Sequence, residues 1–225
     1  MTLAETKEQT QKAEAEERIF KAALNVFAAK GKDGARMQEI ADEAGINKAM
    51  LHYYFRSKEK LYEAVFEYVF NRFAIQQIHS TLEHAKTYKD TLRAFINGFI
   101  DAHQADRAII KLMANENLAG GTTMGKIISR KEHDKSPPSI FIRKTMEAIH
   151  RGEIRPVDPH HTLLTIISSC VFFFIWEPTI KEKIPPAGKD WRAFVEERKK
   201  HIFDMLYYGL AQPGTDDATK TPTKE

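Results

Sequence analysis

The 225-residue sequence has one cysteine, Cys170, set inside an apolar run. A disulfide framework is therefore excluded, and a reducing compartment is the natural setting. No apolar run reaches membrane-spanning length. The longest, Leu163 to Trp176 (LLTIISSCVFFFIW), falls short of the roughly 20 residues a spanning helix needs and carries Thr165, Ser168 and Ser169. Met1 to Glu17 is polar and charged and lacks the apolar segment of a secretory signal. These absences predict a cytoplasmic protein with no membrane partner. Neither sign of charge dominates: 34 Lys+Arg face 31 Asp+Glu, a net charge of +3, which permits nucleic-acid binding without arguing for it. Sustained period-two alternation is also scarce, and no internal repeat is visible.

A catalytic or metal-binding constellation is missing too. His160 and His161 are adjacent and point to different faces of a helix, which suits solvation or capping better than metal. His79 and His84 are five apart, a poor spacing for one helical face. Glu132, His133 and Asp134 read as a solvated turn. No enzyme, metal or cofactor is expected.

What is present is helical periodicity and enough apolar material, 42% of residues, for a sizeable core. Residues 1–13 read as a frayed start and 212–225 (QPGTDDATKTPTKE) as a disordered tail. The first helix runs from about Glu14 to Lys30, with Ile19, Ala22, Ala23, Val26 and Phe27 on its apolar face and Gly31 and Gly34 ending it. A second spans about Arg36 to Ala44 and is broken by Gly45. A third runs from Lys48 to Tyr54 behind the N-cap Asn47. A long fourth helix follows Ser57 and reaches about His79 or beyond. Further helices are expected at Tyr88–Gln104, Asp106–Leu118 closed by Gly120-Gly121, Thr123–His133, Pro138–Arg151, Asp158–Trp176 stopped by Pro178, and Asp190–Leu210.

The informative stretch is RMQEIADEAGINKAMLHYYFRSKEKL, Arg36 to Leu61. Two short helices meet at a tight turn: Ala41 lets them cross closely, Gly45 supplies the positive φ, and Ile46 and Leu51 bury between them. That is a helix-turn-helix, whose second helix usually enters the major groove. Lys48, Ala49, Met50, His52 and Tyr53 point outward there. They offer a cation, apolar groups for thymine methyls, and donors for phosphate. Lys58, at a helix N-terminus, can meet a phosphate together with free backbone N–H groups. Arg36 and Gln38 complete the expected DNA-contact set. Phe55 is assigned to the core. Shape alone leaves DNA binding open, because helix-turn-helix units also occur in proteins that bind no DNA.

The string IADEAGINKAMLHYYFRSKEKL resembles the tetracycline-repressor-like (TetR) family, through Ile40, Ala41, Ala44, Gly45, Ile46, Leu51, Tyr54, Phe55, Ser57, Lys58 and Leu61. IFKAALNVFAAKG in the first helix matches as well, so the close likeness covers about Arg18 to Leu61. Three positions depart. His52 replaces the usual tyrosine, Asn47 replaces a serine or threonine cap, and Ala35-Arg36 replaces the threonine pair that opens helix two. The lost cap costs about 1 kcal/mol unless a phosphate contact from Arg36 offsets it. The resemblance implies a homodimer on a palindromic operator in double-stranded DNA, a C-terminal effector domain, and repression relieved by ligand.

The expected architecture is all-α: a helix-turn-helix DNA-binding domain over residues 14–60 and a helical effector-binding and dimerisation domain over 61–211. Leu163 to Trp176 is apolar nearly all round and so must be covered on more than one side, by a second chain or by the subunit's own core. The final helix is read as placing Trp191, Phe194, Val195, Ile202, Met205 and Leu206 on one stripe. Elimination suggests an apolar pocket for a small-molecule effector from Phe95, Phe99, His103, Met113, Asn117 and Phe173, with Glu116 beside them. Ordinary packing is at least an equal reading for each, and for His103 solvent exposure is slightly the better reading. A DNA-binding helical dimer without effector, serving a constitutive or architectural role, is the alternative.

Overall fold

The computed structural model describes residues 3–74, 78–129 and 136–211. They form α1 (Leu3–Gly34), α2 (Met37–Glu43), α3 (Lys48–Tyr54), α4 (Lys58–Ala74), α5 (Ser80–His84), α6 (Tyr88–Ala105), α7 (Arg107–Leu118), α8 (Thr122–Ile128), α9 (Pro137–His150), α10 (Pro159–Ile175), α11 (Glu177–Lys183), α12 (Pro185–Lys189) and α13 (Trp191–Leu210). No strand occurs among the described residues; Ile154 and Ala211 form an isolated bridge. The predicted turn at Glu132–Asp134, the end of the predicted Thr123–His133 helix and the tail from Gln212 lie outside the described residues.

The helices divide into two compact units, though not at residue 60. α1 to α4 group with α7 and α8, while α5, α6 and α9 to α13 form the second unit. The first unit is built on the α1 stripe Ile19, Ala23 and Phe27. It meets Ile40 and Ala41 of α2, Leu51 of α3, Leu61, Val65 and Phe66 of α4, and Leu112 of α7. Each of these except Phe66, at 1%, is 0% exposed, so the expected apolar faces are the observed ones. Helix α7 belongs here because it packs along α1 and because the Asn115 amide donates to the Ala28 carbonyl (3.2 Å).

α1 is already helical at Leu3, where a frayed end to residue 13 was expected. The segment AETKEQTQKAEAEE consists largely of strong helix formers, so propensity favours its helical form. At the other end Gly31 (φ 68°, ψ 175°) interrupts the helix as anticipated.

In the second unit the rings of Phe95 of α6 and Phe141 of α9 meet at a tilt, 4.8 Å apart, and Tyr88 adds to the same cluster. α10 buries Leu163, Ile166, Cys170, Phe173 and Phe174 on one side and exposes Leu164, Phe172 and Ile175 on the other. The predicted single stripe of α13 splits. Val195 and Ile202 turn inward with Phe203 and Tyr207, whereas Met205 is 67% exposed. Lys199 also turns inward, and its Nζ donates to Asp101 of α6 and to Glu196. Pro178 ends α10 as expected, but the chain continues helically as α11, bent by 67°. Proline in a first turn sacrifices no hydrogen bond, so the residue that stops one helix starts the next. No single helix among the described residues is long and apolar enough to cross a membrane.

Candidate nucleic-acid interface and ligand grooves

The turn between α2 and α3 is closed by its own backbone. Ile46 N–H donates to Ala41 O (3.0 Å) and Gly45 N–H to Asp42 O (3.1 Å), the paired bonds of a Schellman cap. Gly45 takes φ 67°, which a side chain would resist. Asn47 then accepts from Met50 N–H (2.7 Å) and starts α3, and Ser57 caps α4 through Lys60 N–H (3.2 Å). α3 is anchored by one fully buried residue, Leu51, and by Tyr54, which packs against the core from a half-buried position. Phe55 at its end stands edge-on to Phe20 (5.6 Å).

With Leu51 fixed, the rest of α3 faces outward. Lys48, Ala49, His52 and Tyr53 are exposed, Tyr53 at 84%, and Met50 is exposed at 38%. Arg36 and Gln38 are exposed on the start of α2, where Gln38 donates to Asp42 (2.7 Å). Lys58 differs from the simple expectation. Its Nζ donates to the carbonyls of Asp33 (3.1 Å) and Ala35 (3.3 Å), so two of its three N–H bonds clamp α4 to the end of α1.

Arg36 makes no side-chain cap at the start of α2. The Lys30 ammonium, 2.8 Å from Glu39, holds that carboxyl below the usual range.

The six expected effector residues are divided between the two units. Met113 and Asn117 belong to the first unit, where Met113 packs on its core and Asn117 is exposed and donates to Met113 O (3.0 Å). Phe95, Phe99, His103 and Phe173 belong to the second. Phe95 is wholly buried against Phe141, and Phe99 lies 4.4 Å from the His103 ring. His103 is buried, contrary to the exposed alternative; its Nδ1 pairs with Phe99 O (2.7 Å), and burial pulls its pKa down to about 4. Glu116 is a fastener rather than a pocket wall. One carboxylate oxygen accepts from the N–H groups of Thr123 and Met124, the other from Tyr62 OH (3.1 Å). Burial and the Glu116 carboxylate push the Tyr62 phenol well above its usual range.

Two grooves open on α10 and α13 of the second unit. One, about 460 Å³, lies between Asp158, His161 and Thr165 on one side and Met205 and Leu206 on the other. The second, about 350 Å³, has Phe173 as its only member of the expected effector set. His160 and His161 are exposed at the start of α10, beside its cap Asp158.

The family model described as bacterial regulatory proteins of the tetR family matches residues 19–65, and that described as the tetracyclin repressor-like C-terminal domain matches residues 89–206. The HTH-type transcriptional repressor NicS of Pseudomonas putida is 27% identical over 187 residues, covering 80% of this chain and 87% of its own. Among solved structures, a TetR family transcription regulator from Marinobacter aquaeolei superposes with a TM-score of 0.74 at 16% identity, over 91% of this chain and 99% of its own. FadR of Bacillus subtilis, in complex with stearoyl-CoA, gives a TM-score of 0.66 at 18% identity, over 86% and 98%.

Proposed function

Because this chain belongs to the tetR family of bacterial regulatory proteins, we propose that it represses transcription as a cytoplasmic homodimer on a palindromic operator and is released by a small, largely apolar effector. The observation that carries the DNA-binding part is the division of labour on α3. Leu51 is wholly buried, and Lys48, Ala49, Met50, His52 and Tyr53 are left to meet base edges. Arg36, Gln38 and Lys58 flank this face and suit phosphate contacts, Lys58 through its remaining N–H.

The homodimer is supported by α10 and α13, which expose Leu164 at 59%, Met205 at 67% and Tyr208 at 66%. Apolar side chains of this size on neighbouring helices gain most by facing a second copy, and a two-fold axis sets two α3 helices on one face of the duplex. FadR in complex with stearoyl-CoA supports an effector in the C-terminal domain. Phe99, His103 and Phe173 remain its proposed contacts in this chain, with Phe95 behind them; Met113 and Asn117 are proposed from the sequence alone.

Selection of genomic fragments bound by the purified protein supplies the operator and tests the reading. Lys48→Ala and Met50→Ala should then relax preference at particular base pairs, by about 1–3 kcal/mol where the contact is direct. Lys58→Ala should weaken all sequences alike and reduce the salt slope by about one unit per subunit. Recovery of no enriched fragment, or α3 variants that bind every fragment like wild type, defeats the docking scheme. Effector release further requires reciprocity: ligand and operator must weaken each other by the same factor.

A further inference from the structure

The outward face of α3 has an order that follows from helix geometry. Ala49 and Tyr53 each stand two residues from buried Leu51, about 200° around the helix, so they hold the centre of the face turned away from the core. They are neighbours at i and i+4, and Met50 meets Tyr53 at i and i+3. Lys48 and His52, also at i and i+4, share one flank. The centre is thus a methyl group and an aromatic ring, edged by a thioether, and all three side chains are exposed, Tyr53 at 84%.

The groups that read a base edge through two hydrogen bonds at once are missing from this centre. Arginine or lysine pairs in that way with guanine, and asparagine or glutamine with adenine, while a carboxylate accepts from cytosine. Ala49, Met50 and Tyr53 are none of these, and Lys48 stands on the flank. The nearest amides are already engaged: Asn47 Oδ1 accepts from Met50 N–H (2.7 Å), and the Gln38 amide donates to Asp42 (2.7 Å). Arg36 and Arg56 stand outside α3, before α2 and before α4. Such a centre gains from burial of apolar surface, and the apolar group a base pair presents in the major groove is the thymine C5-methyl. Ala49 sets no bulk between the helix and the groove floor, so the helix can approach closely.

We propose that α3 reads its operator half-site chiefly through thymine methyl groups, taken by Ala49, Met50 and Tyr53, rather than through paired hydrogen bonds to base edges. The base pairs facing the centre of α3 are then T·A pairs, and 5-methylcytosine can stand in for thymine. Such readout presupposes the DNA-binding reading above, and the test separates the two.

The test uses the full-length protein and an operator fragment recovered by selection. Each thymine of the half-site is replaced in turn by uracil, which removes the methyl and keeps every hydrogen-bonding group, and affinity is read by fluorescence anisotropy at fixed salt. Loss of a contacted methyl should weaken binding about fourfold in each half-site, as expected for one buried carbon group. At the same positions a 5-methylcytosine pair should bind better than a cytosine pair. In Ala49→Gly, Met50→Ala and Tyr53→Ala the ratio of thymine to uracil affinity should fall to about one at the position that residue serves. The ratio is taken within each variant, so a general weakening cancels, and circular dichroism checks that each is folded. Uracil at every thymine without loss of affinity overturns the proposal. So do uracil losses that persist unchanged in all three variants, since the methyls then act through the shape of the DNA. Both results leave a sequence-selective regulator standing. Recovery of no enriched fragment sinks the DNA-binding reading and methyl readout with it.

Discussion

Glu116 offers the sharpest test of how the first unit is held. Its buried carboxylate serves three donors on two other elements: Tyr62 OH on α4 and the N–H groups of Thr123 and Met124 in the first turn of α8. Glu116→Ala strands all three and leaves a small void. A buried donor without partner costs about 1–3 kcal/mol, so with partial access of water the loss should be about 3–5 kcal/mol. Glu116→Gln keeps one acceptor oxygen for the two amides, and its NH2 can donate to the Tyr62 oxygen, so its cost should be about 1–2 kcal/mol. Tyr62→Phe removes a single bond and should cost about 1 kcal/mol. Urea unfolding followed by circular dichroism reads these differences. At a slope of about 3 kcal/mol/M the alanine variant should lose roughly 1 M or more in midpoint. Two results refute the reasoning: Glu116→Ala unfolding within experimental error of wild type, or Glu116→Gln doing as much damage as Glu116→Ala.

His103 is neutral in the fold, with its pKa lowered to about 4 by burial against an ordinary value of 6.5. The unfolded chain therefore binds more protons between those values. The stability His103 contributes is fully present above about pH 6.5 and is lost progressively as pH falls towards about 4, by a few kcal/mol in all. His103→Phe should flatten that part of the urea-midpoint profile; an unaltered profile counts against it. Burial also pushes the Cys170 thiol up to about 12, so a thiol reagent at neutral pH should label it only on unfolding, and rapid labelling of native protein contradicts its placement. Leu164→Asp and Met205→Asp, both at exposed positions, should leave the circular dichroism spectrum intact while shifting sedimentation towards monomer and weakening operator binding. A variant that sediments like wild type places the seam elsewhere.

The elements that could be read from sequence are those whose ends carry their own chemistry. Asn47 caps the helix it was expected to cap, Ser57, Asp158 and Asp190 cap the helices read as starting at them, and Gly45 takes the positive φ its turn demanded. Local signals of this kind need no knowledge of the rest of the chain. α11 and α12 were not expected: Pro178 read as a stop, whereas Pro178, Pro185 and Pro186 each lie in a first turn. Lys199 was unreadable for another reason. A buried ammonium makes sense only beside Asp101, 98 residues earlier in the chain. The expected effector set is divided between the two units for a similar cause: α7 is sequentially between two helices of the second unit yet packs on α1.

The recognition helix rests on very little. Leu51 and the half-buried Tyr54 hold it inward, Asn47 starts it, and the backbone of the Gly45 turn aims it. Lys48, Ala49, Met50, His52 and Tyr53 contribute little to folding, since exposed substitutions away from caps usually change stability by no more than about 0.5 kcal/mol. On the proposed docking, address and scaffold are thus written in different residues. Such a chain can exchange one operator for another, five letters at a time, without renegotiating its stability, and a duplicated copy is free to drift towards a new promoter while still folding.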